Sequence, residues 1–342
     1  MRKNNKLNNF LSSIEEIVDE ARNGRMYVLV DNEDRENEGD LIIPAQMATP
    51  DAINFMATYG RGLICLSMTK NRIEELELTP MTKRNTGKLD TAFTVSIEST
   101  KDVTTGISAA DRAKTIQVAI DKSSGSLDIR TPGHVFPLMA RDGGVLVRAG
   151  HTEAAVDISR IAGLNPAAVI CEIMKDDGTM ARLKDLIPFC KKHNLKIGSI
   201  SDLIRYRVNN DPIIKRKNSN IINTKKYGKW KIFSYENTVN QNGPEHLALV
   251  KGNLIQSSPA LVRVHVSNFI SDAFNGVIGD KSFISLDESM AEINEQGSGL
   301  IVVINYDDSS HALSKYIDGN DAWNEEDKIR ENGIGAQIIR DQ

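Results

Sequence analysis

Asp31 to Asp40, reading DNEDRENEGD, constrains the fold of this chain more than any other stretch. Five carboxylates and one arginine lie between Glu33 and Asp40. Apolar segments flank the run. Met26–Val30 precedes it and reads as a strand, and Leu41–Ile43 follows it and stops at Pro44. Such crowding of like charge between apolar segments is costly unless something compensates it. Water and salt do so on a surface loop; a divalent cation does so in a cleft, because hard cations prefer carboxylate oxygen. Gly39 lets the backbone turn tightly. Composition alone leaves both the solvated turn and the metal site open.

The remaining chain reads as mixed strands and helices. Ser12 with Glu15 resembles a capping box, followed by helical apolar spacing through Phe10, Ile14, Ile17, Val18 and Ala21. Thr49-Pro50 reads as an N-cap with proline at the first helical position. Ser108 is expected to cap a helix from Ala109, and Thr152 one from Glu153. Leu63–Leu66, Phe93–Ile97 and Ala168–Ile173 read as strands, the last of them buried. Leu183–His193 and Ser201–Val208 read as closing helices. The expected class is α/β (α+β): a mixed-sheet domain with helices packed on it, plus a smaller α/β C-terminal domain. A length of 342 residues suits two domains. The expected division is 1–208, a linker over 209–226 rich in Asn, Lys and Arg, and 227–342. Lys215, Arg216 and Lys217 read as solvated linker charges.

Net charge is −4, which gives no bias toward nucleic acid or an anionic membrane. No apolar run approaches the ~20 residues of a membrane helix. Met1–Asn9 is polar and basic, without the apolar core of a secretory signal. Cys65, Cys171 and Cys190 lie far apart, against a disulfide framework or a cysteine zinc site and in keeping with a reducing compartment. The expectation is a cytoplasmic protein with neither nucleic-acid nor membrane partners.

Three further places carry candidate chemistry. Arg148-Ala149-Gly150-His151-Thr152 follows an apolar segment and precedes a helix. Free N–H groups at a helix start favour an anion, Arg148 can add paired hydrogen bonds to phosphate oxygens, and His151 could ligate a metal. A capped helix with a surface arginine is the alternative. His134 sits in TPGHVFPL, stiffened by prolines on both sides, which suits an acid–base histidine as well as a packed one. Glu172 ends a buried strand, where a carboxylate needs a partner or a metal.

Together these pieces resemble the 3,4-dihydroxy-2-butanone 4-phosphate synthase family. The segments that carry the resemblance are DNEDRENEGDLI (Asp31–Ile42), TTGISAADR (Thr104–Arg112), RTPGHVFPL (Arg130–Leu138), GGVLVRAGHTEA (Gly143–Ala154) and ICEIMKDDGTMAR (Ile170–Arg182). They fall, in the family's order, within a domain of about residues 10 to 208. The resemblance implies Glu36 and His151 as ligands of Mg²⁺ or Mn²⁺. It implies Arg35, Glu36, Asp40, Arg148, Ala149, Gly150, His151, Thr152 and Glu172 as substrate contacts, and His134 and Glu172 as residues needed for catalysis. Glu38, Cys65, Thr105 and Asp111 would line the site. The implied reaction converts ribulose 5-phosphate, through enolisation, loss of water and a skeletal rearrangement, to 3,4-dihydroxy-2-butanone 4-phosphate and formate. A homodimer is implied too.

The C-terminal region is similar to GTP cyclohydrolase II in GPEHLALVKGNL (Gly243–Leu254), ALVRVHVSNF (Ala260–Phe269) and GIGAQIIRD (Gly333–Asp341). That family holds zinc with three cysteines. Alignment from Arg263-Val264-His265 puts Asn268, Gly279 and Lys281 at those positions, and no cysteine follows Cys190. Such side chains cannot replace zinc thiolates. The family's glutamine–glutamate–glycine–arginine run is also missing, with Asn305-Tyr-Asp-Asp308 in its place. The expectation is a degenerate domain without zinc or cyclohydrolase activity, serving in structure, docking or ligand sensing. His246, His265 and His311 are not expected to form a metal site. A bifunctional riboflavin enzyme and a regulatory or scaffold protein with a silent synthase domain remain as alternatives.

Overall fold

The computed structural model describes residues 10–32, 35–86, 91–239, 243–254, 260–267, 272–273, 284–305 and 325–342. It divides into two compact units, Met1–Tyr206 and Arg207–Gln342. The first unit runs α1 (Ile14–Arg22), β1 (Tyr27–Val30), β2 (Gly39–Pro44), α2 (Pro50–Phe55), β3 (Cys65–Thr69), α3 (Lys70–Glu75), β4 (Ile97–Ser99), α4 (Ala109–Ile120), β5 (Ile129–Ala140), α5 (His151–Ile161), β6 (Ala167–Glu172), α6 (Leu183–His193) and β7 (Lys196–Ser199), and the boundary after Tyr206 falls within α7 (Ile200–Asn210). Its seven strands lie in the order β4-β5-β3-β6-β2-β1-β7. β1/β7 and β3/β5 are parallel and the other pairs antiparallel.

Central strands of this sheet are buried on both faces, which explains their near-continuous apolar sequence. On one face Val28, Val30, Leu41, Ile43, Leu66, Met68, Val169 and Cys171 form the main core with Ile53 and Met56 and with Ile116 of α4. The opposite face is covered by α1 and α5, where Ile17 meets Leu29 across Gly198.

Several boundaries differ from the sequence reading by a residue or two. The first cap is Ser13 with Glu16, not Ser12 with Glu15; Phe10 stays exposed while Ile14, Ile17, Val18 and Ala21 are buried. Thr49 and Ser108 cap α2 and α4 as expected. α5 starts at His151 behind Gly150, so Thr152 lies inside the helix instead of capping it. Only Ile97 of the Phe93–Ile97 segment enters β4; Phe93 and Thr94 make isolated bridges.

The larger correction concerns 209–226. Ile214–Thr224 is not a linker but β8, hairpin-paired with β9 (Gly228–Asn237). With β10 (His246–Lys251), β11 (Leu261–Val266) and β12 (Gly299–Ile304) these strands form a second sheet, ordered β11-β12-β10-β9-β8. Helices α8 (Leu286–Gln296) and α9 (Glu325–Asp341) complete the described part of that unit. An edge strand exposed on both faces carries a polar, charged sequence, and composition cannot distinguish it from a loop. Its basic residues have acidic partners: Lys215 pairs with Glu236 of β9, Lys217 with Glu245, and Arg216 with Asp341 at the end of α9. Asn268, Gly279, Lys281, His311 and 306–308 fall outside the described residues. No described helix is long and apolar enough to cross a membrane.

Leu66 is fully buried in the main core. Leu66→Ala should lower the stability of the first unit by about 2–5 kcal/mol, seen as an earlier urea midpoint. An unchanged midpoint would show that this sheet face is not the core.

Candidate active site

The acidic run folds as a hairpin loop between β1 and β2, and its organiser is Asp31. This buried carboxylate accepts the backbone N–H of Glu38 on Oδ1 at 2.8 Å and that of Glu36 on Oδ2 at 3.0 Å. Arg35 donates to Asp31 Oδ2 at 2.9 Å and to Glu36 Oε2 at 2.8 Å. Arg182 closes the loop from outside, donating to the carbonyls of Glu36 (2.6 Å) and Asn37. Sequence motifs contain Arg182 and Asp31 but assign neither a role. Their signal lies in partners far along the chain or in the backbone, neither of which composition displays.

Asp40, in the antiparallel register, sits opposite Glu172 of β6 and opposite Leu29 of β1. Three adjacent strands thus bring two carboxylates together on one face of a buried sheet. Glu172 accepts the N–H of Leu63 at 2.8 Å. His151, the first residue of α5, covers this face and is itself buried. Its Nε2 lies 3.2 Å from the Leu29 carbonyl, an acceptor, so Nε2 carries the proton there. Nδ1 is then directed at the acids, 3.6 Å from Glu36 Oε2 and 3.9 Å from Asp40 Oδ1.

Electrostatics follow from this crowding. Burial, with Glu172, Glu36 and Glu38 nearby, pushes the Asp40 carboxyl up to about 7 despite His151. Burial opposes a charge on His151, but Asp40, Glu36 and Asp31 outweigh it and raise the imidazole to about 9. Burial also acts against the charge on Glu36, yet His151 and Arg35 hold it down at about 2. Burial raises Glu38. Burial, then Glu172 and Asp40, raise the Cys65 thiol, so it is no thiolate nucleophile at neutral pH.

Ligand atoms of Asp31, Glu36 and His151 lie within 4.8 Å of one another. Asp31 already accepts from three N–H groups, which leaves Glu36 Oε2 and His151 Nδ1 as the pair suited to a hard divalent ion. One oxygen and one imidazole nitrogen, with room in the coordination sphere for water or substrate, fit Mg²⁺ or Mn²⁺. The Nε2–H to Leu29 bond is the kind of outer contact that orients a metal-ligating histidine.

At the start of α5, Arg148 donates to buried Glu153 (2.6 Å) and to Thr91 (3.0 Å). These bonds hold the guanidinium against Gly150, where a Cβ would come within 2.3 Å of Arg148 Nη1. Ala149, Gly150 and Thr152 are buried beside it. Asp111 clamps the preceding loop: its oxygens accept the N–H groups of Thr104 and Gly106 and the Thr104 hydroxyl. Thr105 is exposed. His134 stands on β5, separated from β6 by β3, with Nδ1 2.8 Å from Glu98 Oε2. Arg130 and His134 hold Glu98 below the usual carboxylate range. Sequence reading missed Glu98, an isolated acid in an apolar segment.

Residues 15–206 match the family of 3,4-dihydroxy-2-butanone 4-phosphate synthase. The chain belongs to the 3,4-dihydroxy-2-butanone 4-phosphate synthase family. Residues 215–342 match the GTP cyclohydrolase II family. A 3,4-dihydroxy-2-butanone 4-phosphate synthase of Photobacterium phosphoreum is 46% identical over 337 residues, covering 97% of this chain and 91% of the relative. Riboflavin biosynthesis protein RibBA of Aquifex aeolicus is 45% identical, covering 96% and 84%. Among solved structures, RibBX, a two-domain synthase from A. baumannii, superposes with a TM-score of 0.79 at 42% identity, covering 96% of this chain and 90% of that one. A synthase in complex with two magnesium ions superposes at 0.57 with 37% identity, covering 59% and 99%.

Without metal, the synthase unit should lose stability as pH rises. A histidine raised from 6.5 to about 9 on folding contributes stability that is complete below pH 6.5 and lost by about pH 9. Asp40, raised from 3.8 to about 7, acts in the same direction between those values. Urea midpoints of metal-free protein should therefore fall from pH 6.5 to 9, and His151→Gln should flatten the fall above pH 7. A midpoint that climbs over this range would contradict the buried charge cluster.

Proposed function

We propose that the first unit converts D-ribulose 5-phosphate to L-3,4-dihydroxy-2-butanone 4-phosphate and formate, with Glu36 and His151 holding a divalent cation. The observation that carries this reading is the convergence of His151 Nδ1 on Glu36 Oε2 at 3.6 Å, beside Asp40 and Glu172 on a buried sheet face. A bound Mg²⁺ or Mn²⁺ would supply Lewis-acid stabilisation of negative charge on neighbouring sugar oxygens.

The chain's own groups do the rest. Asp40, whose carboxyl burial raises, can accept or return a proton at an acidic carbon beside the ketone. Glu172 offers a second carboxylate across the strand pair, one oxygen held by the Leu63 N–H. His134 is the third proton carrier. Arg35 shares its guanidinium between Asp31 and Glu36, and a substrate oxygen at Glu36 falls within its reach. The opening turn of α5, from Ala149 through Gly150, His151 and Thr152, gives backbone donors for the phosphate. Glu153 keeps Arg148 beside that turn. Gripping the phosphate fixes the reacting end without joining the chemistry. The same reading makes the protein a cytoplasmic homodimer that uses no zinc.

In the C-terminal unit the reading is loss of GTP cyclohydrolase activity. No cysteine follows Cys190, so thiolate ligands for zinc are missing from 215–342. His265 faces Asp272 at 2.9 Å, and His246 accepts the Asn305 N–H, with burial lowering it to about 4. Both histidines thus have partners of their own.

Formate release from ribulose 5-phosphate with Mg²⁺ tests the first reading. Glu36→Ala and His151→Ala should each remove nearly all turnover, about a hundredfold or more, with the fold intact by circular dichroism. Chelation should stop the wild type and Mg²⁺ restore it. Full activity in either variant, or in metal-free enzyme, defeats the metal assignment. GTP should give no formate under any metal. Turnover of GTP would return the bifunctional reading.

A further inference from the structure

β4 and β5 do not pair evenly. Ile97 faces Val135, while the next residue, Glu98, faces Arg130, so residues 131–134 bulge from the ladder. The bulge brings His134 Nδ1 to 2.8 Å from Glu98 Oε2, while Arg130 Nη2 lies 2.7 Å from Oε1. Glu98 is only 5% exposed. Its carboxyl is walled in by the loop that Asp111 clamps: a Cβ on Gly106 would come within 2.2 Å of it. Arginine can only donate, and an ionised carboxylate can only accept. Both donors are therefore satisfied only when His134 carries its proton on Nδ1.

We propose that Glu98 is a positioning residue for the synthase reaction, fixing His134 as the Nδ1–H tautomer and leaving Nε2 as the nitrogen that exchanges protons. This rests on the reading of His134 as a proton carrier. Its side chain is about two-fifths exposed (43%), so a ligand can approach the imidazole. The same Glu98 contacts could serve only to tie β4 to β5, and the two roles make different predictions.

Glu98→Gln separates them. Glutamine supplies one acceptor and one donor where two acceptors are needed. Arg130 takes the amide oxygen, so the NH₂ faces His134 and forces the Nε2–H tautomer. Proton–nitrogen correlation NMR of the full chain with ¹⁵N-histidine, above pH 8, reads this directly. Wild type should show Nδ1–H at His134 and E98Q should show Nε2–H. In formate release, E98Q should lose roughly 10–100-fold in kcat with KM within about threefold. Adding Arg130→Met frees the amide oxygen to turn to His134, so the double variant should recover the Nδ1–H tautomer and at least about tenfold of the lost kcat. A role limited to joining strands predicts the reverse, since the double variant has lost more contacts.

An Nε2–H signal in the wild type overturns the proposal without any variant. Wild-type kcat in E98Q, or no recovery in the double variant, also overturns it. His134→Ala is the separate check on the underlying reading. Full activity there removes His134 from the chemistry, whereas an inactive H134A beside a fully active E98Q removes Glu98 alone.

Discussion

Two carboxylates share a buried sheet face that is covered by a helix. Asp40 and Glu172 are opposite each other in adjacent antiparallel strands, so the ladder fixes their backbones side by side. Burial and the facing Glu172 make the charged state of Asp40 costly. Much of the surrounding structure follows from that. α5 begins with a histidine directed at the acids, and its far nitrogen is tied to the Leu29 carbonyl. Arg35 spends its guanidinium on Asp31 and Glu36. A divalent ion would complete the compensation these cations begin.

The carboxylates of the acidic run divide by role. Asp31 faces inward and satisfies backbone N–H groups, which makes it part of the loop's architecture. Glu36 projects toward His151 and is a proposed metal ligand. Asp40 has already entered β2 and belongs to the sheet. Of the carboxylates described, Glu36 is the one placed where a cation could offset the charge of the run. Arg182, distant in sequence, fastens the loop through its carbonyls, so the position of Glu36 depends on the start of α6.

Helix signals were the most legible part of the fold, because capping chemistry is local. Thr49 with Pro50 and Ser108 mark real helix starts. α6 spans Leu183–His193 as its apolar spacing indicates. Thr152 misled because its hydroxyl looks like a cap, whereas Gly150 supplies the extended residue and His151 opens the helix. β8 misled because a strand exposed on both faces has no apolar alternation to reveal it.

Residue identity by itself determined the supply of chemistry: a dense acidic run, a histidine after a small-residue turn, a histidine between prolines, and no cysteine in the last third. It also determined the family, through motifs whose order along the chain is specific. Only the tertiary structure decided which acids meet. The register that sets Asp40 against Glu172, the approach of His151 to Glu36, and the bond from Glu98 to His134 all join residues more than 30 positions apart. Such contacts depend on strand order and on a bulge in β5. Neither leaves a periodic trace in the residues themselves, since pairing is a property of two segments and a sequence displays them one at a time.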